Sequence, residues 1–483
     1  MADVAAVFTA QEIEEAAAGR LTGGRADMAA SGVSTDSRTI REGELFVPIS
    51  GPNFDGHDYI GAAFGAGAAG CLSAPGRATG GRSPGAARSI EPPEGVFIVE
   101  VEDTLTALGD LARRHRGRFE LPVAAVTGSN GKTTTKEMIR AILAEGGETL
   151  ASEGNLNNLI GLPLQVLGLG PAHERAVFEM GMNWPGEIQR LAGVARPGIG
   201  VITNIAPAHL EGLGSIEAVR EAKGELLNAM EGEGVAVLPG GEPSGGDSHC
   251  GVLAERFRAA GGRVVTFGLT GECDARATDI RMSPRGETTF RLLLGGEEAE
   301  VRLGAVGRHN VLNALAAAAA AHEMGSGLDE AASGLARTNF PKMRLAVEEL
   351  RGGCFLLNDA YNANPESMRS AIQAAGELKG EGRAFGLLGD MKELGDYGEE
   401  AHREAGRWAA SEGLDFLAAV GDAMRLAASE ARAAGMPPER VGEFSTPEKA
   451  AAWVAERLKP GDWALVKGSR SMEMERAAEA LRD

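Results

Sequence analysis

Short apolar runs recur along this 483-residue chain, each closed by glycine, proline or polar residues, with helical spacing of apolar positions between them. Runs of that length, bounded by turn residues, read as strands. In the first hundred residues "GELFVPISG" and "GVFIVEV" are strand-like and are separated by alanine-rich helical stretches. Ala74 to Gly95 is rich in Gly, Pro, Ser and Arg and reads as a loop. A helical connector, "DTLTALGDLARRHRGRF", leads into "LPVAAVTG", and "RAVFEMG", "IGVITNI" and "GVAVLPG" follow as strands apolar on both faces. That pattern predicts a parallel sheet covered by helices. "RVVTFG", "TFRLLLGGEEAEVRLGAVG" and the helix "HNVLNALAAAAAAHEMG" finish the middle block. A new unit starts near "NFPKMRLAVEEL", with strands at "CFLLNDA", "RAFGLLGD", "FLAAVGD" and "WALVKGS".

The expectation is an α/β protein of three domains: an α/β domain over residues 1–105, a central parallel-sheet domain over 106–337, and a Rossmann-like α/β domain over 338–483. The length agrees, at roughly 100–200 residues per domain. A net charge of −20 argues against a broad nucleic-acid footprint and leaves anionic ligands to local positive sites. Cys71, Cys250, Cys273 and Cys354 are far apart, without metal-site or disulfide spacing, as in a reducing compartment. The first residues, acidic and lacking a basic segment, do not resemble a signal peptide, and no apolar run reaches the roughly 20 residues of a membrane span. A cytoplasmic protein is expected.

The chemistry is concentrated in "VAAVTGSNGKTTTKEMIRAIL", which reads strand, glycine loop, helix. Such a turn aims a helix N-terminus and the N–H groups of Gly128, Ser129, Asn130 and Gly131 at one point, which suits phosphate. Lys132 can reach the β and γ phosphates, and the hydroxyl of Thr133 or Thr134 can hold magnesium. Val126 stands where the common phosphate-loop pattern has its first glycine, so the loop is a shortened variant. Glu179 ends a strand and is the expected metal carboxylate; Glu187, on the next helix, reads as a surface or capping residue. His209 and Glu211 follow another strand end, where open α/β sheets bind ligands, although magnesium prefers oxygen. Lys223 has two readings: a solvated helix lysine, or a buried neutral amine that carbamylation turns into an anionic metal ligand.

"TGSNGKTTTK" resembles the loop of the Mur ligases and folylpolyglutamate synthetases, which activate a carboxylate with ATP and then form an amide. Over essentially the whole chain, "STDSR", "GELFVPISGPNFDGHDYI", "EGNLNNLIGLPLQVL", "FEMGMNWPGEI", "ITNIAPAHLEGLGS", "GRHNVLNALAAAAA", "NDAYNANPESM", "LGDMKELGDYGEEAH" and "VKGSRSMEME" resemble the Mur ligases that add D-alanyl-D-alanine. The resemblance implies a monomer that binds ATP and Mg²⁺ and joins the dipeptide to UDP-N-acetylmuramoyl-tripeptide through an acyl phosphate.

It also implies roles. The N-terminal domain would hold the UDP-sugar end through Ser37 and Arg38, and Asn155 and Asn158 would line the cleft. Asn53, Asp55 and His57 stand in a signature that fits a structural turn as well as a ligand contact. Glu179, His209 and a carbamylated Lys223 would serve the metal, and with Lys132 would form the catalytic group. Asn310 and Asn313 share a helix face where an amide can pair with adenine. Arg344 and Asp359 would reach the ATP phosphates and ribose, with Tyr361 and Asn362 near the same cleft. Met343 departs from the family's glycine before that arginine.

Other readings are weaker. The Mur ligase that adds a diamino acid, MurE, usually carries a D-N-P-R stretch, which is missing here, and folylpolyglutamate synthetases lack the UDP-binding domain. A nucleotide switch would leave Asn155, Arg344 and "YNANP" without a purpose.

Overall fold

A computed structural model describes residues 7–77, 93–207, 210–240, 249–283, 286–340 and 342–482. Most of the expected loop from Ala74 to Gly95 lies outside the described residues, as does His209. The chain forms two compact units: Met1–Ala125 with Gly147–Met182 and Gly186–Gly198, and Val126–Gly146 with Asn183–Pro185 and Ile199–Asp483.

In the first unit a five-stranded sheet has the order Arg20–Gly23, Phe97–Glu100, Gly70–Ser73, Leu45–Phe46, Val33–Ser34. Its strands are parallel except at the Arg20–Gly23 edge. Phe46, Ile60, Phe64, Cys71 and Ile98 form its buried core. The strand Gly70–Ser73 has no counterpart in the sequence reading, because "GCLS" is too short and small to show a period. The unit also holds the parallel pair Thr149–Ala151 and Arg175–Glu179, the latter ending on the expected metal carboxylate.

Asp55 and His57 organise a turn in this unit. The Asp55 carboxylate caps the short helix Gly56–Tyr59 through the His57 N–H (3.0 Å), meets His57 Nδ1 at 2.7 Å, and pairs with Arg77. His57 Nε2 accepts the Ala74 N–H at 3.0 Å, so the ring proton sits on Nδ1 and donates to Asp55. Burial pushes the Asp55 carboxyl up, but the bonds from His57 and Ser50 outweigh it and hold the pKa at about 2. An unfolded aspartate titrates near ~3.9, so this carboxylate stabilises the fold above that pH and loses its contribution as pH falls towards about 2. Asp55→Asn is therefore expected to lower the urea midpoint at pH 7, with the gap from wild type closing as the acid limb is descended. A gap that does not change with pH would refute this.

In the second unit Ile199–Ile202, Val235–Pro239, Arg263–Gly268 and Ala275–Met282 run parallel. Thr288–Leu294 and Glu297–Leu303 then extend the sheet as an antiparallel meander. Its tight turn uses Gly295 and Gly296 at φ +62° and +83°, a conformation open to glycine. Strand Ala275–Met282 escapes the sequence reading because "ARATDIRM" carries only two buried apolar residues, Ala275 and Ala277.

A six-stranded sheet lies further along this unit, in the order Ala346–Leu350, Cys354–Asp359, Trp463–Lys467, Ala384–Gly389, Phe416–Val420, Val441–Phe444. Its first pairing is antiparallel and the rest are parallel. Alternate residues feed two cores. Leu357, Leu388, Leu417 and Leu465 point one way; Leu356, Leu387, Ala418 and Val466 point the other. Burial of both faces is why these strands read as unbroken apolar runs. Among the described residues no helix is long and apolar enough to cross a membrane.

Candidate active site

The strand Val123–Thr127 is wholly buried and delivers the chain to the loop that precedes helix Lys132–Leu143. Gly131 starts that helix at φ +78°, and no side chain caps it. At a helix N-terminus without a side-chain cap, the first-turn N–H groups have no partner within the helix and the positive dipole end is found, which suits an anion. Gly128 has φ +147°, a conformation that L side chains rarely adopt. Lys132 lies over the loop, its Nζ donating to Gly128 O (2.8 Å) and Ser129 O (3.3 Å). Thr133 is half-buried and Thr134 buried in the first turn.

Thr203 and Asn204, just past strand Ile199–Ile202, brace the loop from beside it. The Thr203 N–H donates to Thr127 O at 2.9 Å, and its hydroxyl donates to Asn130 O at 2.5 Å. Asn204 accepts twice: its backbone O from the Ser129 N–H (3.1 Å) and its Oδ1 from the Asn130 N–H (2.8 Å). The Ser129 hydroxyl donates to Ala206 O at 2.8 Å. The loop N–H groups of Ser129 and Asn130, expected to face phosphate, are thus turned to protein acceptors, leaving that task to the helix N-terminus. Neither Thr203 nor Asn204 stood out in the sequence.

Lys223 is fully buried in helix Ile216–Asn228. Burial, and then repulsion by the charge of Lys132, hold its amine well below the usual lysine range. Its burial removes the solvated-lysine reading, and the downward shift favours the neutral amine. Asn310 and Asn313 are both buried on helix Arg308–Glu323. Asn310 donates to Val306 O (2.8 Å) and accepts from Asn313 Nδ2 (3.1 Å). Asn313 Oδ1 lies where a side chain at Gly131 would stand, so it backs the loop.

A second cluster sits at the carboxyl end of the six-stranded sheet, the edge where open α/β sheets bind ligands. Asp359 accepts from Lys467 Nζ at 2.5 Å and from the Leu345 N–H at 3.2 Å. Its burial pushes the carboxyl up against the pull of Lys467 and Arg344. Lys467 also donates to Asn362 O at 2.9 Å. The Arg344 guanidinium stacks on Tyr361, 4.2 Å from the ring centroid. Met343 and Leu345 flank it at φ +59° and +53°. The left-handed region costs a non-glycine residue about 1–2 kcal/mol, so the departure from glycine at Met343 does bear on the backbone, as strain beside Arg344.

In the first unit, Glu179 is buried at the end of its strand. Its N–H donates to Ser152 Oγ (2.9 Å), and Oε1 accepts from Asn157 Nδ2 (2.7 Å), while Oε2 is buried without a hydrogen-bond partner among the described residues. An ionised oxygen withdrawn from water in this way calls for a cation or a proton donor. Asn157, not singled out in the sequence, is therefore the amide that orients Glu179. Asn158 spends its Oδ1 on the Ile160 and Gly161 N–H groups at 3.1 and 2.8 Å, as a local turn before the next helix, and Asn155 is exposed. Arg38 forks onto Asp36 (2.9 and 2.7 Å) while remaining exposed, and Ser37 beside it is half-buried.

Comparison with known proteins gives this geometry a family. Residues 29–116 match the Mur ligase family catalytic domain, 126–321 the Mur ligase middle domain, and 343–470 the Mur ligase glutamate ligase domain. The chain belongs to the Mur ligase family. This Mur ligase is 37% identical, over 453 residues and 93% of each chain, to the UDP-N-acetylmuramoyl-tripeptide–D-alanyl-D-alanine ligase of Bacillus subtilis. A crystal structure of MurF from Acinetobacter baumannii is similar at a TM-score of 0.86 and 30% identity, covering 99% of this chain and 100% of that one. MurF from Thermotoga maritima in complex with ADP is similar at a TM-score of 0.78 and 29% identity, covering 93% and 96%. The three matched segments agree with the expected three-domain α/β architecture. Among the described residues of this Mur ligase no three His, Cys, Asp or Glu side chains gather as a metal cage.

Proposed function

We propose that this Mur ligase joins D-alanyl-D-alanine to UDP-N-acetylmuramoyl-tripeptide at the expense of ATP, giving the pentapeptide, ADP and phosphate. The observation that carries the reading is the uncapped helix N-terminus behind Gly128 and Gly131, with Lys132 over it, in a chain whose relatives carry out this ligation. The ADP complex of the Thermotoga maritima neighbour supports ATP as the nucleotide.

The residues then divide the work. The helix N-terminus and Lys132 bind the triphosphate and offset the charge that builds on the γ phosphate. The tripeptide carboxylate attacks that phosphorus, ADP leaves, and an acyl phosphate results. The dipeptide amine next attacks the acyl carbon, loses a proton, and expels phosphate. Asp359, Arg344, Tyr361 and Asn362 belong to the nucleotide side of the reading, Ser37 and Arg38 to the UDP end. Exclusion of water during the acyl-phosphate stage is the remaining task.

Magnesium fits the donors present. Glu179 Oε2, buried without a hydrogen-bond partner among the described residues, is a hard oxygen donor of the kind magnesium takes; in the second unit Thr133, considered by itself, carries a hydroxyl of the same hard kind. Mg²⁺ typically takes one or two protein oxygens and leaves the rest to phosphates and water. When bound it polarises the phosphoryl oxygens. Burial, which pushes the Lys223 amine down and so favours its neutral form, works in the direction that carbamylation requires. Domain limits near 105 and 338, action in the cytoplasm and a monomeric state complete the reading.

The test is phosphate release from ATP with UDP-N-acetylmuramoyl-tripeptide, with and without D-alanyl-D-alanine. Release that requires both, with pentapeptide appearing in step, is the expected result. Release indifferent to the dipeptide moves the enzyme to another acceptor.

A further inference from the structure

Asn130, in the middle of the phosphate loop, has its side chain committed at both ends to residues well over two hundred positions downstream. Its Nδ2 donates to Glu366 Oε2 at 2.7 Å, and its Oδ1 accepts from Asn364 Nδ2 at 2.7 Å. The same Glu366 oxygen accepts from Asn204 Nδ2 at 3.1 Å, and Asn204 Oδ1 holds the Asn130 N–H at 2.8 Å. Asn130, Asn204 and Glu366 thus close a ring, with Asn364 as a further tie. The ring joins two loops of the middle domain to the start of helix Pro365–Leu378 in the glutamate ligase domain.

The helix presents these groups rigidly. Asn364 caps it through a reciprocal box, its Oδ1 accepting from the Ser367 N–H (2.9 Å) and its own N–H donating to Ser367 Oγ (3.0 Å). Pro365 pre-sets the first turn, and Glu366 stands in that turn, where the helix dipole favours a carboxylate. A carboxylate is an acceptor only, so one oxygen can serve two amide donors at once with charge-assisted bonds. Tyr361 and Asn362, at the edge of the second cluster, lie only a few residues before this clasp.

We infer that Glu366 is a positioning residue that clasps the glutamate ligase domain onto the phosphate loop through Asn130 and Asn204, so that the acyl phosphate is held away from water until the amine attacks. The inference rests on the acyl-phosphate reading above. It assigns Glu366 no contact with a reacting atom. Its action passes through the shape of the loop and the seating of Asn364 and the segment before it. Breaking the clasp lets a water oxygen attack the acyl phosphate in place of the amine, returning tripeptide and phosphate without amide.

The decisive quantity is phosphate released per pentapeptide formed, measured for wild type, Glu366→Ala and Glu366→Gln. Glu366 is exposed, so both variants are expected to fold, with circular dichroism as the check. Wild type gives a ratio of one and little release without dipeptide. Glu366→Ala is expected to lower kcat about tenfold, the scale of one charge-assisted bond, and to raise the ratio clearly above one. Glu366→Gln keeps an acceptor oxygen and recovers most of the coupling. A ratio that stays at one in Glu366→Ala overturns the inference, whatever happens to kcat or to thermal stability. Wild type that shows no dipeptide-dependent release instead overturns the functional reading itself, and this inference with it.

Discussion

Lys132→Ala is expected to lower kcat by about 10²–10³-fold and to leave the protein folded. The magnitude is that of removing one preorganised donor from developing charge in a water-poor site. Lys132 is the cation of the phosphate loop, and its Nζ already lies over it, bonded to Gly128 O and Ser129 O at 2.8 and 3.3 Å. A phosphate that enters the loop offers the ammonium an anionic partner in place of these neutral carbonyl oxygens. The side chain is only half-buried. The unfolding midpoint should therefore move little while single-turnover phosphate transfer collapses. The amine of Lys223 offers an internal check, because the charge of Lys132 is one of the causes that depress it. Removing that charge lets the Lys223 amine rise part of the way back, since burial, the larger cause, remains. Wild-type turnover by Lys132→Ala would remove the loop from the reaction.

Gly128→Ala is expected to weaken ADP binding by about a hundredfold, the cost of misplacing a site by roughly 1 Å. Two facts combine. The backbone sits at φ +147°, and a Cβ built there falls 1.9 Å from Thr203 Oγ1 and 3.1 Å from Thr203 N. Rotating the hydroxyl away does not suffice, because Thr203 is tied to the neighbouring strand by its N–H bond to Thr127 O at 2.9 Å. The loop must move instead, and with it the Thr203 hydroxyl contact to Asn130 O. Strain of this kind costs about 1–3 kcal/mol, so a lower unfolding midpoint accompanies the loss. Titration calorimetry with ADP, with the melting curve alongside, separates the two effects. Unchanged affinity would mean that the glycine's conformation does not shape the site.

Much of this was legible in the chain itself. Strand, glycine loop, lysine and helix follow one another within about twenty residues, and each signal is local: an apolar run, a residue free at positive φ, a helix former. Four strands of the six-stranded sheet were equally plain, because burial on both faces turns them into unbroken runs such as "FLAAV" and "WALVK", whereas the edge strands Ala346–Leu350 and Val441–Phe444, only partly buried, were not read. Weak strands were lost for the converse reason. "GCLS" and "ARATDIRM" carry too little apolar contrast to declare a period, and only pairing with a formed neighbour makes them strands.

The sequence by itself determined the order strand, glycine loop, lysine, helix, a strand-end carboxylate, and the repeated α/β pattern that puts both at carboxyl ends of strands. Tertiary structure alone decided which groups complete them. Asn157 rather than Asn158 meets Glu179, Thr203 and Asn204 take the loop's N–H and C=O groups, Lys467 pairs with Asp359, and Glu366 reaches Asn130 across 236 positions. The physical reason is range. Propensity, capping and periodicity act over a few residues. An amide or a carboxylate acquires its partner only when the topology brings distant strand ends together, and a lysine amine is pushed down only once a core has closed around it.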